Sequence, residues 1–225
     1  MKTTKAVFFD WVGTLSHPKP DRHESVYRAA RELGLELPLN KLLKGILRAD
    51  IVVPEGAPPC WHEKADAEPF IRWWEVLLAE AGARLSRSEM LAITRVIGQR
   101  VVHLIWVLYE DVIPTIKQLR QRELILGLIS SHYLGRAGLD PFLDIVITAE
   151  SAGVDKPDPK IFLTAVKKAG VSAAEALYIG DQYERDVVGA RKAGMRAILI
   201  DRHDLFPDIT DCPRIVNLDQ VMTYL

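Results

Sequence analysis

Cysteine is scarce in this sequence, and so is any excess of charge. The two cysteines, Cys60 and Cys212, are far apart and form no C-x-x-C pair, which argues against a disulfide framework or a zinc site and favours a reducing compartment. The formal net charge is −1, so the broad positive field that usually accompanies binding to nucleic acids or anionic membranes is missing. We therefore expect small-molecule partners, with no nucleic acid and no membrane among them.

Long hydrophobic runs are also missing. The longest apolar stretch, Val101 to Tyr109, is interrupted by His103 and has about half the length of a membrane span. Near the start, only four apolar residues precede Asp10, fewer than the apolar region of a signal peptide contains. These two absences predict a cytoplasmic protein that is not exported.

The sequence does contain a clear change of periodicity. Its 225 residues suffice for one domain and a smaller insert. An apolar run from Lys5 to Asp10 predicts a strand that is covered on both faces. Helical spacing then dominates until about Leu124, and Ser86 and Glu89 form a predicted capping box. The predicted helices are Asp21–Leu33, Leu39–Arg48, Glu63–Ala81 and Ser86–Trp106.

From Glu110 onward, predicted strands alternate with predicted helices. The strands are Leu124–Ile129, Asp144–Ile147, Ala176–Ile179 and Arg196–Ile200, the helices start near Pro114, Asp158 and Glu184, and a weaker strand and helix follow Arg214. This alternation predicts an α/β fold, a Rossmann-like parallel sheet with helices on both faces. The first strand must join this sheet, because alone it would leave an apolar edge. We therefore expect a core of residues 1–15 and 108–225 with an inserted all-helical domain of residues 16–107.

Polar side chains follow the predicted strands at the points where they end. Two carboxylates and two hydroxyls come directly after strands, another carboxylate comes one helical turn later, and an ammonium lies in the loop GVDKPDP. These residues are Asp10, Ser130, Ser131, Lys156, Asp181 and Asp186. Because ligands of open parallel sheets bind outside the carboxyl ends of the strands, we expect these groups to gather at one edge.

Four short motifs in this order resemble those of the haloacid dehalogenase superfamily of hydrolases. The segment DWVGT resembles the first motif, D-x-D-G-T, except at Val12, and LGLISS, DKPDP and GDQYERD resemble the second, third and fourth. The inserted helices resemble the type 1 cap of that superfamily. The resemblance implies a hydrolase, most simply a phosphatase that acts on a small phosphorylated metabolite through a phospho-Asp10 intermediate.

The resemblance also implies a cofactor, Mg²⁺, and a role for each motif residue. The implied catalytic residues are Asp10, Ser130 and Lys156, with Asp186 in support, the metal ligands are Asp10, the Val12 carbonyl and Asp181, and the phosphate-binding residues are Gly13, Thr14, Ser130, Ser131 and Lys156. A hard cation such as Mg²⁺ prefers oxygen ligands of these kinds. Positive charge is needed because a carboxylate nucleophile must approach a phosphate that is itself negative.

Val12 stands where the resembled phosphatases carry a second acid, which protonates the leaving alkoxide and later activates water. Valine does neither. General acid–base catalysis is worth about 10² to 10⁴-fold in rate, so its absence favours leaving groups that depart unassisted, such as an acyl phosphate, an enol, an aryl oxide or a nucleoside diphosphate. His17 and His132 are the candidates for a replacement acid.

Three alternatives remain open at this point. A phosphonatase-like hydrolase of carbon–phosphorus bonds also has a small apolar residue at this position, and it needs a cap lysine, for which Lys41, Lys44 and Lys64 are available. In a 2-haloacid dehalogenase, Asp10 would attack carbon without a metal. A catalytically weak member would bind a phosphorylated ligand or a partner protein. The oligomeric state is expected to be a monomer or a homodimer.

Overall fold

A computed structural model describes residues 3–53, 68–101, 105–131 and 138–225. The chain divides into two compact units. One consists of Met1–His17 and Trp106–Leu225, and the other is Pro18–Ile105. Within the described ranges, no helix has the length and the apolar character that crossing a bilayer requires.

The strands and helices follow one another in a mixed order along the chain. The strands are β1 (Ala6–Phe9), β2 (Ser16–Lys19), β3 (Ile105–Leu108), β4 (Ile125–Ser130), β5 (Ile145–Thr148), β6 (Ala176–Gly180), β7 (Arg196–Ile200) and β8 (Arg214–Ile215). The α-helices are α1 (Arg22–Glu32), α2 (Leu39–Val52), α3 (Glu68–Ala81), α4 (Arg87–Val101), α5 (Val112–Gln121), α6 (Ala149–Ala152), α7 (Pro159–Ala169) and α8 (Gly189–Lys192).

The first unit is built on a six-stranded sheet with the order β5-β4-β1-β6-β7-β8. Every strand pair in it is parallel, so the predicted Rossmann-like α/β fold is confirmed. β1 lies between β4 and β6, and all four of its residues are buried. This central position explains why its sequence is continuously apolar and does not alternate.

Each face of the sheet is covered by helices. Phe8 points to the face where Phe162 of α7 packs. Val7 and Phe9 point to the other face, where Ile116 of α5 packs. Successive side chains of a strand alternate between the faces, so one apolar run supplies both cores.

The register places the site residues at one level. Phe9 is paired with Leu128 of β4 and with Ile179 of β6. The residues that follow these three strands therefore leave the sheet at the same edge. The sequence order of the strands gives no sign of this alignment, which depends on β1 lying between β4 and β6.

Within the described residues, the second unit contains the helices α1 to α4 around an apolar core. Trp73 and Trp74 are fully buried in that core. The carboxylate of Asp50 is buried among them, and it accepts hydrogen bonds from Arg22 (2.6 Å) and from Trp73 Nε1 (2.8 Å). The predicted capping box at α4 is confirmed, since Ser86 and Glu89 exchange side-chain-to-backbone hydrogen bonds.

Three sequence predictions about elements were wrong. The helix predicted to run to Trp106 ends at Val101, and Ile105–Leu108 forms β3, which pairs with β2. The helical spacing predicted from Asp10 to Leu124 is therefore interrupted by two strands, β2 and β3. An apolar run fits a buried helix as well as a strand, and the partner of β3 lies far away in the sequence. The helix predicted from Glu184 begins instead as a π-helical turn, Tyr183–Val188.

Candidate active site

Asp10 leaves the central strand at the edge where the register gathers the polar residues. Its amide continues the ladder by donating to the Ile179 carbonyl at 2.9 Å. Its side chain is only 8 % exposed, and Oδ1 accepts a hydrogen bond from Lys156 Nζ at 2.6 Å. Residues 146 positions apart in the sequence thus form one buried ion pair.

Lys156 is the centre of the cluster. Its ammonium donates to Asp10 Oδ1 and to Asp186 Oδ1, each at 2.6 Å, and to the Tyr178 hydroxyl at 3.3 Å. A lysine ammonium has three hydrogens, so these three acceptors use all of them. The third-motif loop therefore carries a lysine whose ammonium is held by three hydrogen-bond acceptors.

Tyr178 is a site residue that the sequence analysis missed. It lies in the middle of β6, where its hydroxyl is 2.9 Å from Asp186 Oδ1 and 3.2 Å from the Ile129 carbonyl. Its ring packs edge-on against Phe162, with 5.0 Å between the centroids. The only available signal was a polar tip in the otherwise apolar strand sequence ALYIG.

Asp186 is fully buried and accepts hydrogen bonds at both oxygens. Oδ1 accepts from Lys156 and Tyr178, and Oδ2 accepts from the Gln182 amide at 2.9 Å. A Cβ at Gly180 would overlap the Asp186 carboxyl, so the glycine of the fourth motif is needed for this approach. These contacts place Asp186 beside Lys156, within hydrogen-bond distance of its ammonium.

The turn after Asp10 is folded by its own backbone. The Trp11 carbonyl accepts from the amides of Leu15 (3.0 Å) and Ser16 (2.9 Å), and the Gly13 amide donates to the Ser16 carbonyl at 2.8 Å. Gly13 has φ +79°, and a Cβ there would overlap Asp181 Oδ2. Glycine is therefore required at this position for its conformation and for the close approach of Asp181.

The carboxylates form a set that fits a hard cation. Asp10, Asp181 and Asp186 each offer one oxygen, and these oxygens all lie within 4.8 Å of one another. In the part of the chain that the structure describes, the Val12 carbonyl accepts no hydrogen bond. An all-oxygen donor set with a free carbonyl close by in the sequence suits Mg²⁺.

Burial and neighbouring charges both shift the pKa values of Asp10, Lys156 and Tyr178. Burial, together with the charge of Asp186, raises the pKa of Asp10 to about 6, although Lys156 lowers it. Burial would lower the pKa of Lys156, but its two carboxylate partners outweigh that effect and raise it above its ordinary value. Burial and the nearby carboxylates raise the pKa of the Tyr178 phenol. Lys156 is therefore charged and Tyr178 neutral near pH 7.

The second-motif serines occupy different surroundings. Ser130 ends β4, next to β1, and is buried. Ser131 accepts a hydrogen bond from Arg185 at 2.6 Å, and the same guanidinium nitrogen donates to Asp155 at 2.8 Å. Since Asp155 also accepts from the Lys156 amide, Arg185 connects the second-motif and third-motif loops. The sequence analysis did not single out Arg185.

The remaining predicted residues are placed less directly at the cluster. Thr14 is buried, and its hydroxyl has no hydrogen-bond partner within the described ranges. The His17 ring lies 4.8 Å from the Tyr109 ring, measured between centroids. His132 and Lys64, as well as the predicted helix start at Glu63, lie outside the described residues.

Comparisons with known proteins agree on one family. A model for haloacid dehalogenase-like hydrolases matches residues 4–194. Glyceraldehyde 3-phosphate phosphatase of Methanopyrus kandleri is 42 % identical over 101 residues, which are 42 % of this chain and 43 % of that protein. Haloacid dehalogenase-like hydrolase domain-containing protein 3 of Bos taurus is 39 % identical over 101 residues, 42 % of this chain and 40 % of that protein. The matched region thus spans about two fifths of each of these relatives.

A solved structure is similar over nearly the whole chain. The HAD phosphatase from Thermococcus onnurineus is 26 % identical, with a TM-score of 0.59, and the match covers 98 % of this chain and 97 % of that one.

Proposed function

This chain belongs to the haloacid dehalogenase-like hydrolases, and from that premise we propose that it is a Mg²⁺-dependent phosphohydrolase with Asp10 as its nucleophile. One observation carries the proposal: Lys156 Nζ lies 2.6 Å from carboxylate oxygens of both Asp10 and Asp186. A buried, charged lysine beside a carboxylate at the end of a central strand supports attack on an anionic group. It offsets the repulsion that a phosphate would otherwise meet.

The proposed reaction proceeds in two displacements. A carboxylate oxygen of Asp10 forms a bond to phosphorus, and the bond from phosphorus to the leaving oxygen breaks with its electron pair on that oxygen. Water then attacks the phosphorus of phospho-Asp10 and loses a proton to solvent, and the bond from phosphorus to the Asp10 oxygen breaks with its electron pair on that oxygen, which releases inorganic phosphate and restores the carboxylate. Lys156 holds its charge against the transferring group, while the hydroxyls of Ser130 and Thr14 donate hydrogen bonds to phosphoryl oxygens.

We assign Mg²⁺ to Asp10, Asp181 and the Val12 carbonyl. When bound, the ion supplies positive charge to the phosphate and to the developing charge of the displacement. Asp186 is assigned to Lys156 instead, because its two oxygens already accept three hydrogen bonds from within the protein. The carboxylate cluster and the free Val12 carbonyl support this division of roles.

Val12 points to a class of substrate. With no acid at position 12, the leaving oxygen has no side chain of the first motif to protonate it. The substrates are therefore small phosphorylated metabolites whose leaving groups are stable as anions, such as acyl, enol or aryl phosphates. The Methanopyrus kandleri relative is named for a small phosphorylated substrate, which supports the size class.

We assign the cap to the helical unit Pro18–Ile105. Substrate choice then depends on this unit, while the chemistry depends on the sheet. The unit has its own apolar core, as an inserted domain requires.

The alternative reactions are less well supported. A carbon–phosphorus hydrolase needs a free cap lysine that can form a Schiff base, but the ammonium of Lys44 is paired with Glu80 at 2.9 Å. Dehalogenation needs no cation, and it gives no reason for three carboxylates within 4.8 Å. A protein that only binds its ligand would not require the buried Asp10–Lys156 pair.

A substrate panel tests the proposal. Aryl, acyl and alkyl phosphates, phosphonates and 2-haloacids are assayed with Mg²⁺ and after complete chelation, using the wild type, Asp10→Asn and the exposed control Asp208→Asn. We expect aryl and acyl phosphates to be cleaved only with Mg²⁺, and only by the wild type and Asp208→Asn. Activity that survives Asp10→Asn or chelation contradicts the proposal.

A further inference from the structure

A buried arginine reaches the turn after Asp10 from the opposite end of the chain. Arg202 follows β7, and its side chain is only 7 % exposed. Its Nε and Nη2 both donate to the Thr14 carbonyl, at 3.0 and 2.6 Å. The sequence analysis did not identify this residue, because no motif contains it.

The guanidinium is held in one orientation by two further partners. Nη1 and Nη2 donate to the two carboxylate oxygens of Asp111, at 2.9 and 3.1 Å. The guanidinium carbon lies 3.8 Å from the centroid of the Tyr109 ring, which is cation–π distance. Asp111 also accepts from the Leu218 amide at 2.7 Å. A planar fork with bidentate and stacking contacts has little freedom to move.

This anchored guanidinium supplies the hydrogen bonds to one carbonyl of the turn. The carbonyls of Trp11, Leu15 and Ser16 accept backbone amides, the second of them from Tyr109 at 3.1 Å. The Thr14 carbonyl accepts from Arg202 instead. Among the carbonyls of the described turn, those of Val12 and Gly13 accept no hydrogen bond, and the Val12 carbonyl is the one assigned to the metal.

We propose that Arg202 is a positioning residue for the metal and phosphate site. By holding the Thr14 carbonyl, it fixes the turn in the conformation that leaves the Val12 carbonyl free and sets Gly13 against Asp181. This inference rests on the proposed function, since it assigns Arg202 to the site where Mg²⁺ would bind. It predicts that loss of the guanidinium contacts of Arg202 weakens Mg²⁺ binding and does not only lower the stability of the fold.

Lysine is the informative replacement. Arg202→Lys keeps the charge and much of the aliphatic stem, but a single ammonium cannot reproduce the planar fork on both Asp111 and Thr14. The matched control is Arg196→Lys, at the other end of β7, where the guanidinium donates to Thr4 Oγ1 (2.9 Å) and to the Tyr224 carbonyl (2.6 Å). Both variants lose a partly buried fork, and only Arg202 contacts the turn.

Mg²⁺ binding is measured by titration calorimetry, alongside kcat and KM for an aryl phosphate and the unfolding midpoint. We expect Arg202→Lys to raise the Kd of Mg²⁺ by about 10- to 100-fold, as for other residues that support metal ligands from outside. A lower kcat should accompany this change with little change in KM. Arg196→Lys should match the wild type in Kd and kcat.

Each contrary result has its own meaning. If Arg202→Lys lowers the unfolding midpoint but keeps the wild-type Kd and kcat, Arg202 is only structural and the inference is overturned. If the wild type itself neither binds Mg²⁺ nor cleaves phosphates, the proposed function fails first. If Arg202→Lys does not fold, Asp111→Asn replaces it as the variant that loosens the fork, and an unchanged Kd there overturns the inference equally.

Discussion

At the scale of single residues, position 12 separates the proposed metal-ligand role from proton transfer. The Val12 backbone offers a free carbonyl among the described residues, while its side chain packs against the apolar core of the first unit. A residue can therefore keep the proposed ligand role and lack the acid. Without this acid, substrates whose leaving groups need a proton should be cleaved more slowly.

The substitution Val12→Asp tests whether the missing acid limits the cleavage of esters whose leaving groups need a proton. Val12→Asp should raise kcat for an alkyl phosphate by about 10²-fold or less, since that is the lower end of what general acid catalysis supplies. Turnover of an aryl phosphate should rise much less, because its leaving group departs unassisted. Initial rates on matched alkyl and aryl esters measure the difference.

Val12→Asn is the control for size and polarity without an acidic proton. It should leave the ratio of alkyl to aryl turnover unchanged. Equal gains on both esters with Val12→Asp would show that proton donation does not limit the wild type.

Tyr178 shows how one hydroxyl supports a buried charge. Tyr178→Phe keeps the ring against Phe162 but removes an acceptor of Lys156 and a donor to Asp186. A hydrogen bond to a charged group is worth about 1.5–3 kcal/mol, so kcat should fall about tenfold or more. KM should change little, because the hydroxyl acts through Lys156.

Tyr183→Phe is the matched control for this prediction. Its hydroxyl bonds Asp211 at the surface, and its loss should leave kcat unchanged. Equal kcat values for Tyr178→Phe and the wild type would remove Tyr178 from the positioning network.

At the scale of elements, the register of the strands determines which residues lie together at the site. The second unit depends instead on close packing between helices. Because Phe9 is level with Leu128 and Ile179, the residues after three strands meet at one edge. In the helical unit, α2 and α3 approach closely at Gly45, where a Cβ would lie 2.7 Å from the Leu77 carbonyl oxygen.

Gly45→Ala should therefore destabilise the protein. The added methyl overlaps backbone, so its cost lies in the upper part of the overpacking range, about 2–3 kcal/mol, and outweighs a gain of about 1 kcal/mol in helix propensity. We expect a lower urea midpoint for the unfolding of the helical unit, followed by tryptophan fluorescence. Asn40→Ala, exposed on the same helix, should not lower it, and an unchanged midpoint for Gly45→Ala would contradict the close contact.

At the scale of the whole molecule, Mg²⁺ should couple folding to pH through Asp10. The proposed metal would bind the ionised carboxylate, whose pKa is raised to about 6, chiefly by burial. Stabilisation by Mg²⁺ should therefore be largest well above pH 6 and decline as the pH falls through that value, because protons compete for Asp10. At a concentration 100 times its Kd, Mg²⁺ should add about 2.7 kcal/mol to the unfolding free energy.

Thermal unfolding with and without Mg²⁺ between pH 5 and about pH 8 measures this coupling. Asp208→Asn should behave as the wild type, and Asp181→Asn should show no Mg²⁺-dependent rise at any pH. A rise in the midpoint that is equally large at pH 5 and above would disprove the link to Asp10.

The sequence predicted the fold class because that class depends on local patterns. Alternating strands and helices imply a parallel sheet, and the continuous apolar run of β1 implies a strand that is covered on both faces; both are confirmed. The motifs also led to the family to which the chain belongs. The same local patterns failed at β3, where an apolar run suits either element and only a distant partner strand decides.

The sequence by itself showed where the strands end and which polar residues follow them. It therefore predicted the kind of chemistry to expect. Only the tertiary structure decided that Lys156 touches Asp10 and Asp186, that Tyr178 joins them, and that Arg202 reaches Thr14 across 188 positions of sequence. The physical reason is that hydrogen bonds and ion pairs act over a few ångströms in space. Their partners are set by strand order and register, which no stretch of sequence contains by itself.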